Sequence, residues 1–170
     1  GEKIVNYQVG FSYNVEKGFS GREDFAPGQY RTDNSGAAKS LAEIIQTAFT
    51  NEFAQYMAPG RRLVVTITGM ADRLRINNRI PYDGIYGEFE NVTVNGEDGP
   101  FQLTVTSQTG IRENEQLAFV RAAGIKDYLT QHISQLGNMD VEYKYNIMLS
   151  EGVGGEHRRI SVDFLFVDVF

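Results

Sequence analysis

A chain of 170 residues with 41% hydrophobic and 22% charged residues is long enough to bury one core and too apolar for wholesale disorder. Its net charge of -6, with no basic group stronger than "GRR" at 60–62 and "HRR" at 157–159, argues against nucleic acid and against anionic membrane surfaces. The absence of cysteine excludes disulfides and thiol catalysis and speaks against a structural zinc site, and no run approaches the roughly 18 apolar residues a membrane helix needs.

Residues 4–15, "IVNYQVGFSYNV", are rich in Val and Tyr and predict a strand or two. Gly18, Gly21, Pro27 and Gly28 mark 16–34 as loop. Over 35–56, Ala38, Leu41, Ile45, Ala48, Phe49, Glu52 and Tyr56 recur at steps of three and four, with Ile44 and Phe53 widening the apolar face. That spacing predicts a helix, capped by Asp33 or Ser35 and stopped by "APG" at 58–60. "RRLVVTITG", 61–69, is short, β-branched and mostly apolar, the pattern of a buried strand, with Gly69 to Asp72 expected to turn at its end. Residues 73–87 show no period. There Tyr82 and Tyr86 are either exposed contacts for a glycan or protein, or aromatic side chains buried under their own loop. "FENVTV" and "FQLTVT" flank "NGEDG" as a hairpin, with Phe101, Leu103 and Val105 alternating against Gln102, Thr104 and Thr106. Residues 113–133 predict a second long helix, "VEYKYNIML" at 141–149 an alternating strand, and "ISVDFLFVDVF" a closing strand after the loop "EGVGGEHRR". Two amphipathic helices sharing one sheet predict an α+β fold. The expected form is a single domain over 1–170: a two-layer sandwich with a β-α-β-α-β core, both long helices on one face of a mixed sheet, and an inserted β-hairpin.

The second helix poses a question. At about 100° per residue, Leu117, Val120, Gly124, Ile125 and Tyr128 form one apolar stripe with Arg121 in its middle. Charged residues are seldom buried without a partner. The best internal partner is Asp72, at the C-terminal end of the buried strand, where α/β layers commonly make ligand sites. A guanidinium fork binds planar carboxylates bidentately, so an Asp and an Arg side by side suit a zwitterion. A structural Arg–Asp salt bridge, or an arginine that snorkels past the stripe to water, fits the same pattern.

"LVVTITGMAD", then "NEQLAFVRAAGIKDYL", then "HRRISVDF" resemble the OmpA-like C-terminal domain, the peptidoglycan-binding module of bacterial envelopes. Asn114, Leu117, Arg121 and Ala122 match its helix motif, Tyr128 and Leu129 the helix end, and Arg158 and Arg159 the pair that opens its last strand. "VGFSYNV" at 9–15 is similar to its opening strand. The resemblance implies a strand–helix–strand–helix–strand fold and non-catalytic binding of the diaminopimelate residue of the stem peptide. Asp72 and Arg121 hold its charged groups, and Phe11, Ser12 and Asn14 lie near the pocket. It also implies a periplasmic or envelope location, associated with the outer membrane through an anchor or domain ahead of Gly1. The chain departs from the pattern at Ala71, at Ala118 and above all in the insertion at 73–113. That insertion is expected to cover or reshape the pocket, or to replace it with a surface for a protein partner. A scaffold that has lost cell-wall binding is therefore the alternative, and a cell-wall hydrolase ranks behind both.

Other chemistry finds little support. His132 and His157 are too few and too isolated for a metal site, and His132 is expected at a helix end near the C-terminal dipole. "GVGGEH" lacks the lysine and Ser/Thr of a phosphate loop, and no serine sits in a G-x-S-x-G elbow. The carboxylates of "GIYGEFE" and "NGEDGP" have no fixed separation to suggest paired acids. No cofactor is expected.

Overall fold

The computed structural model describes residues 2–4, 9–13, 29–32, 36–51, 53, 61–72, 76, 78–150 and 160–169. In chain order the elements are β1 (Glu2–Ile4), β2 (Val9–Tyr13), α1 (Gly36–Asn51), β3 (Arg61–Asp72), β4 (Phe89–Gly96), β5 (Gly99–Val105), α2 (Asn114–His132), β6 (Asp140–Ser150) and β7 (Ile160–Val169). The strands form one mixed, seven-stranded sheet in the order β1-β7-β3-β6-β4-β5, with β2 also on β7. β3 lies at its centre, parallel to β6 and antiparallel to β7. β1 and β2 dock on opposite ends of β7. The two helices complete an α+β sandwich.

The alternation of β3 and β7 decides which face carries the helices. Leu63, Val65 and Ile67 of β3 and Val162, Phe164 and Phe166 of β7 share one buried cluster with Leu41, Ile45 and Phe49 of α1 and Ala122, Ile125 and Leu129 of α2. Phe49, Phe53 and Phe164 meet edge to face with ring centroids 5.0, 5.2 and 5.6 Å apart, a geometry worth about 0.5–1.5 kcal/mol per pair beyond area burial. Ile44, expected on the apolar face of α1, is instead 49% exposed. Leu41, Ile45 and Phe49, four residues apart, suffice to cover the sheet there. The predicted end of this helix, at 54–56, lies outside the described residues.

Two expectations need correction. Gly69 to Asp72 do not turn; they continue β3, in register with Ile147 to Ser150 of β6. The glycine has another use. A Cβ at Gly69 would stand 2.1 Å from the carbonyl oxygen of Ala118, so α2 crosses β3 directly on bare backbone. Nor does α2 carry a stripe. Leu117 through Ile125 are buried on every side, because the helix has the sheet beneath it and the inserted hairpin along its flank. Phe119 is clamped between Phe89 of β4 and Tyr145 of β6, at centroid distances of 4.8 and 5.1 Å. The ends of α2 follow local rules. Glu113 and Gln116 form a reciprocal capping box. At the other end the exposed His132 bonds the Tyr128 carbonyl and stacks on its ring.

Because the crossing leaves no room for a methyl group, Gly69→Ala is expected to lower the unfolding free energy by about 3 kcal/mol, the upper part of the range for overpacked cores, as read by urea denaturation.

Candidate functional site: an arginine closed in by a strap

Arg121 is the largest fully buried side chain among the described residues, at 1% exposure. Its position on the third turn of α2 lifts the guanidinium over the C-terminal end of β3. There Nη1 donates to the carbonyl of Met70 at 3.3 Å, and Nε donates to the carbonyl of Gln29 at 2.9 Å. Met70 lies one residue beyond the end of the β3–β7 pairing. Gln29 opens the segment 29–32, which runs over α2 as a strap. Both described bonds are charge-assisted and go to main chain, which helps keep the charge inside.

The strap is held by the insertion. Tyr30 packs edge-on against Tyr82 and Tyr86, with centroids 5.6 and 6.4 Å away. The Thr32 amide donates to the Tyr86 hydroxyl at 3.0 Å. Arg31 forms an ion pair with Asp83, whose carboxylate also accepts from the Ile85 amide at 3.1 Å. Tyr82 ties the loop to itself, donating to the Gly87 carbonyl at 2.7 Å and accepting from the Tyr86 amide at 3.0 Å. Gly124 lets this assembly reach the helix, since a Cβ there would meet Thr32 Oγ1 at 2.6 Å and Tyr86 Cζ at 2.9 Å. Of the two alternatives for the tyrosines, burial holds: Tyr82 is 3% exposed and Tyr86 is partly buried. Burial pushes the Tyr82 hydroxyl up to about 12. At Asp83 desolvation works upward, but the Ile85 amide and the Arg31 guanidinium outweigh it and hold the carboxyl below its ordinary value.

The other expected site residues distribute as follows. Asp72 ends β3 opposite Ser150 of β6, and its carboxylate lies outside the described side chains. Phe11 and Ser12 of β2 pair with Val162 and Ser161 of β7, which face Ile67 and Thr68 of β3. Their backbone therefore lies at the same end of the sheet as Met70 and Asp72; their side chains, and Asn14 altogether, lie outside the described residues. Leu117 is buried in the hairpin cluster. Asn114 begins α2, seven residues and roughly 10 Å along the axis from Arg121, two turns before it. Sequence reasoning missed Gln29, Thr32, Asp83 and Gly124. The opposite charges of Arg31 and Asp83 were the one signal, and 52 residues separate them. Among the described residues no group of three or more His, Asp or Glu could hold a metal ion, and no helix is long and apolar enough to cross a membrane. Comparison of the chain with known protein families, with curated proteins and with solved structures returned no match.

Two outcomes follow. Arg121→Ala strips the Gln29 and Met70 carbonyls of a buried donor and should cost about 3–5 kcal/mol in chemical denaturation. The Arg31–Asp83 tie depends on an ionised carboxylate whose folded pKa is depressed. Its contribution is present above the ordinary carboxylate range, about pH 4, and is lost as pH falls through the lower folded value. Protection of the Thr32 and Ile85 amides, taken relative to intrinsic exchange, should fall over that acid window, and Asp83→Asn should show the lower protection already at neutral pH.

Proposed function

We propose that this chain is a non-catalytic module of a bacterial cell envelope, built on the OmpA-like plan, in which Arg121 has become an internal strut and the segment 73–113 meets a protein partner. The motif residues Asn114, Leu117, Arg121 and Ala122, together with the strand–helix–strand–helix–strand order, support the OmpA-like part. The enclosure of Arg121 carries the rest. The guanidinium, at 1% exposure, already commits Nε to the Gln29 carbonyl and Nη1 to the Met70 carbonyl, one donor on each face that a ligand carboxylate would use. The insertion that holds the strap down also presents a hairpin whose outer face is polar and wet.

A second reading keeps cell-wall binding. In it Asp72 and Arg121 take the ammonium and carboxylate of a diaminopimelate residue, with Phe11, Ser12 and Asn14 around them. The observation that favours it is position: Arg121 stands at Met70, two residues from Asp72, at the strand end where the zwitterion is expected. This reading requires the segment 29–32 to lift from α2 when the ligand enters.

Calorimetric titration with a diaminopimelate-containing stem peptide separates the two. The strut reading expects no saturable heat from the wild type, and a melting temperature lower by roughly 10 °C in Arg121→Ala, in line with a loss of about 3–5 kcal/mol. Saturable binding by the wild type, lost in a folded Arg121→Ala, overturns it in favour of the second reading.

A further inference from the structure

β5 ends the sheet order among the described strands, and its free side faces a groove. In an antiparallel ladder alternate residues turn both backbone groups toward the neighbouring strand or away from it. Phe101 and Leu103 pair with Val94 and Val92, and Gln102 and Pro100 with Thr93 and Asn95. Two facts assign the outward set. Proline has no N–H to give the ladder, which suits Pro100 to an outward position. Thr104, the same parity, has its carbonyl turned away from β4, where it accepts from Gln116 Nε2 of α2 at 2.8 Å. Gln102 therefore points its N–H and C=O outward, and neither has a partner among the described residues. Pro100 and the Gln116–Thr104 bond protect the two ends of the edge, but no charged residue lies in β5, and the one irregularity of the hairpin falls at Phe89/Val92, away from Gln102.

The space beside this edge is bounded. A groove of about 410 Å³ separates β5 from Arg112, Glu113, Glu115 and Gln116 at the start of α2. Gln116 closes one end by bonding Thr104. At the other end a recess of about 360 Å³ carries Glu97, Asp98 and Glu115 near the hairpin tip. The first turn of α2 stands along the edge and lines the groove opposite β5.

We propose that β5 captures an extended segment of a partner protein by strand addition at Gln102, with a lysine or arginine of that segment directed to the carboxylates of Glu115 and Asp98. The main-chain bonds to Gln102 and to the Pro100 carbonyl supply the affinity, and the acidic end sets the direction of the added strand. This rests on the reading of the insertion as the partner surface and names the kind of partner.

The chain has no cysteine, so a single one placed at the exposed Gln108, beside the groove, gives a clean tether. A capped peptide of alternating Thr and Val with a terminal lysine, joined there by a disulfide, is held at an effective concentration of about millimolar. The tethered lysine peptide is expected to slow exchange of the Gln102 amide by roughly tenfold or more, and the same peptide ending in glutamate far less. Gln102→Pro, which removes an outward N–H that bonds a peptide carbonyl and no ladder bond, should reduce the tethered peptide's own amide protection severalfold while leaving the melting temperature unchanged. If that variant fails to fold, N-methylation of the peptide amide facing the Gln102 carbonyl is expected to abolish the protection instead. Unchanged exchange at Gln102 with the lysine peptide overturns the proposal. Protection elsewhere in 76–113 without protection at Gln102 also overturns it, while leaving the insertion as a partner surface. Equal protection by the two peptides overturns the assigned direction.

Discussion

The guanidinium of Arg121 is the point on which the upper layer of the molecule converges. A fixed charge buried at 1% exposure must be met by hydrogen-bond acceptors, and the two described for it come from separate parts of the chain. Met70 belongs to the central strand, Gln29 to the strap. By bonding both, Arg121 joins the sheet, the second helix and the strap. The strap then has a defined place on α2, and the insertion can grip it through Tyr30, Arg31 and Thr32. Each grip is modest by itself; the exposed ion pair in particular contributes little in water. Together they close the helix from solvent.

The insertion does two kinds of work at once. Its loop, through Tyr82 and Tyr86, completes the cover over Arg121 and Gly124. Its hairpin widens the sheet and buries the flank of α2 through Val94, Leu103 and Val105. Polar ties make the loop and hairpin one unit. The Ile80–Ile111 bridge draws its ends together, and the Glu88 carboxylate accepts from both the amide and the hydroxyl of Ser107, at 2.7 and 2.6 Å. Widening the sheet also moves its edge outward. The edge that β6 would have presented is transferred to β5, beside the first turn of α2, and there the backbone of Gln102 is left to meet another chain.

Two glycines show how close approach is arranged. Gly69 lets helix lie on strand, and Gly124 lets the strap and Tyr86 lie on helix. Both sit in regular elements, where glycine is locally unfavourable. The compensation is the depth of packing on either side of α2, which no residue with a side chain could match at those points.

What the sequence determined by itself is what local pattern can carry. The β-branched apolar run at 61–69, the alternation in 141–149 and the apolar closing run from Ile160 placed the core strands, "NGEDG" placed the hairpin turn, and the spacing from Leu117 to Leu129 placed the second helix; only β3 runs further than expected, to Asp72. It also singled out Arg121 as a side chain that had to be explained. Tertiary structure decided the rest, because the deciding contacts are distant in the chain. Gly69 read as a turn signal, and only the crossing of α2 shows it to be a contact point. The apolar stripe of α2 was drawn for a helix with one wet face, whereas the insertion buries the whole middle of the helix, a consequence of packing that periodicity cannot register. The acceptor at Gln29, 92 residues from Arg121, has no side-chain signature at all, since any residue offers a carbonyl. That is the physical reason the arginine was legible in the sequence and this acceptor was not.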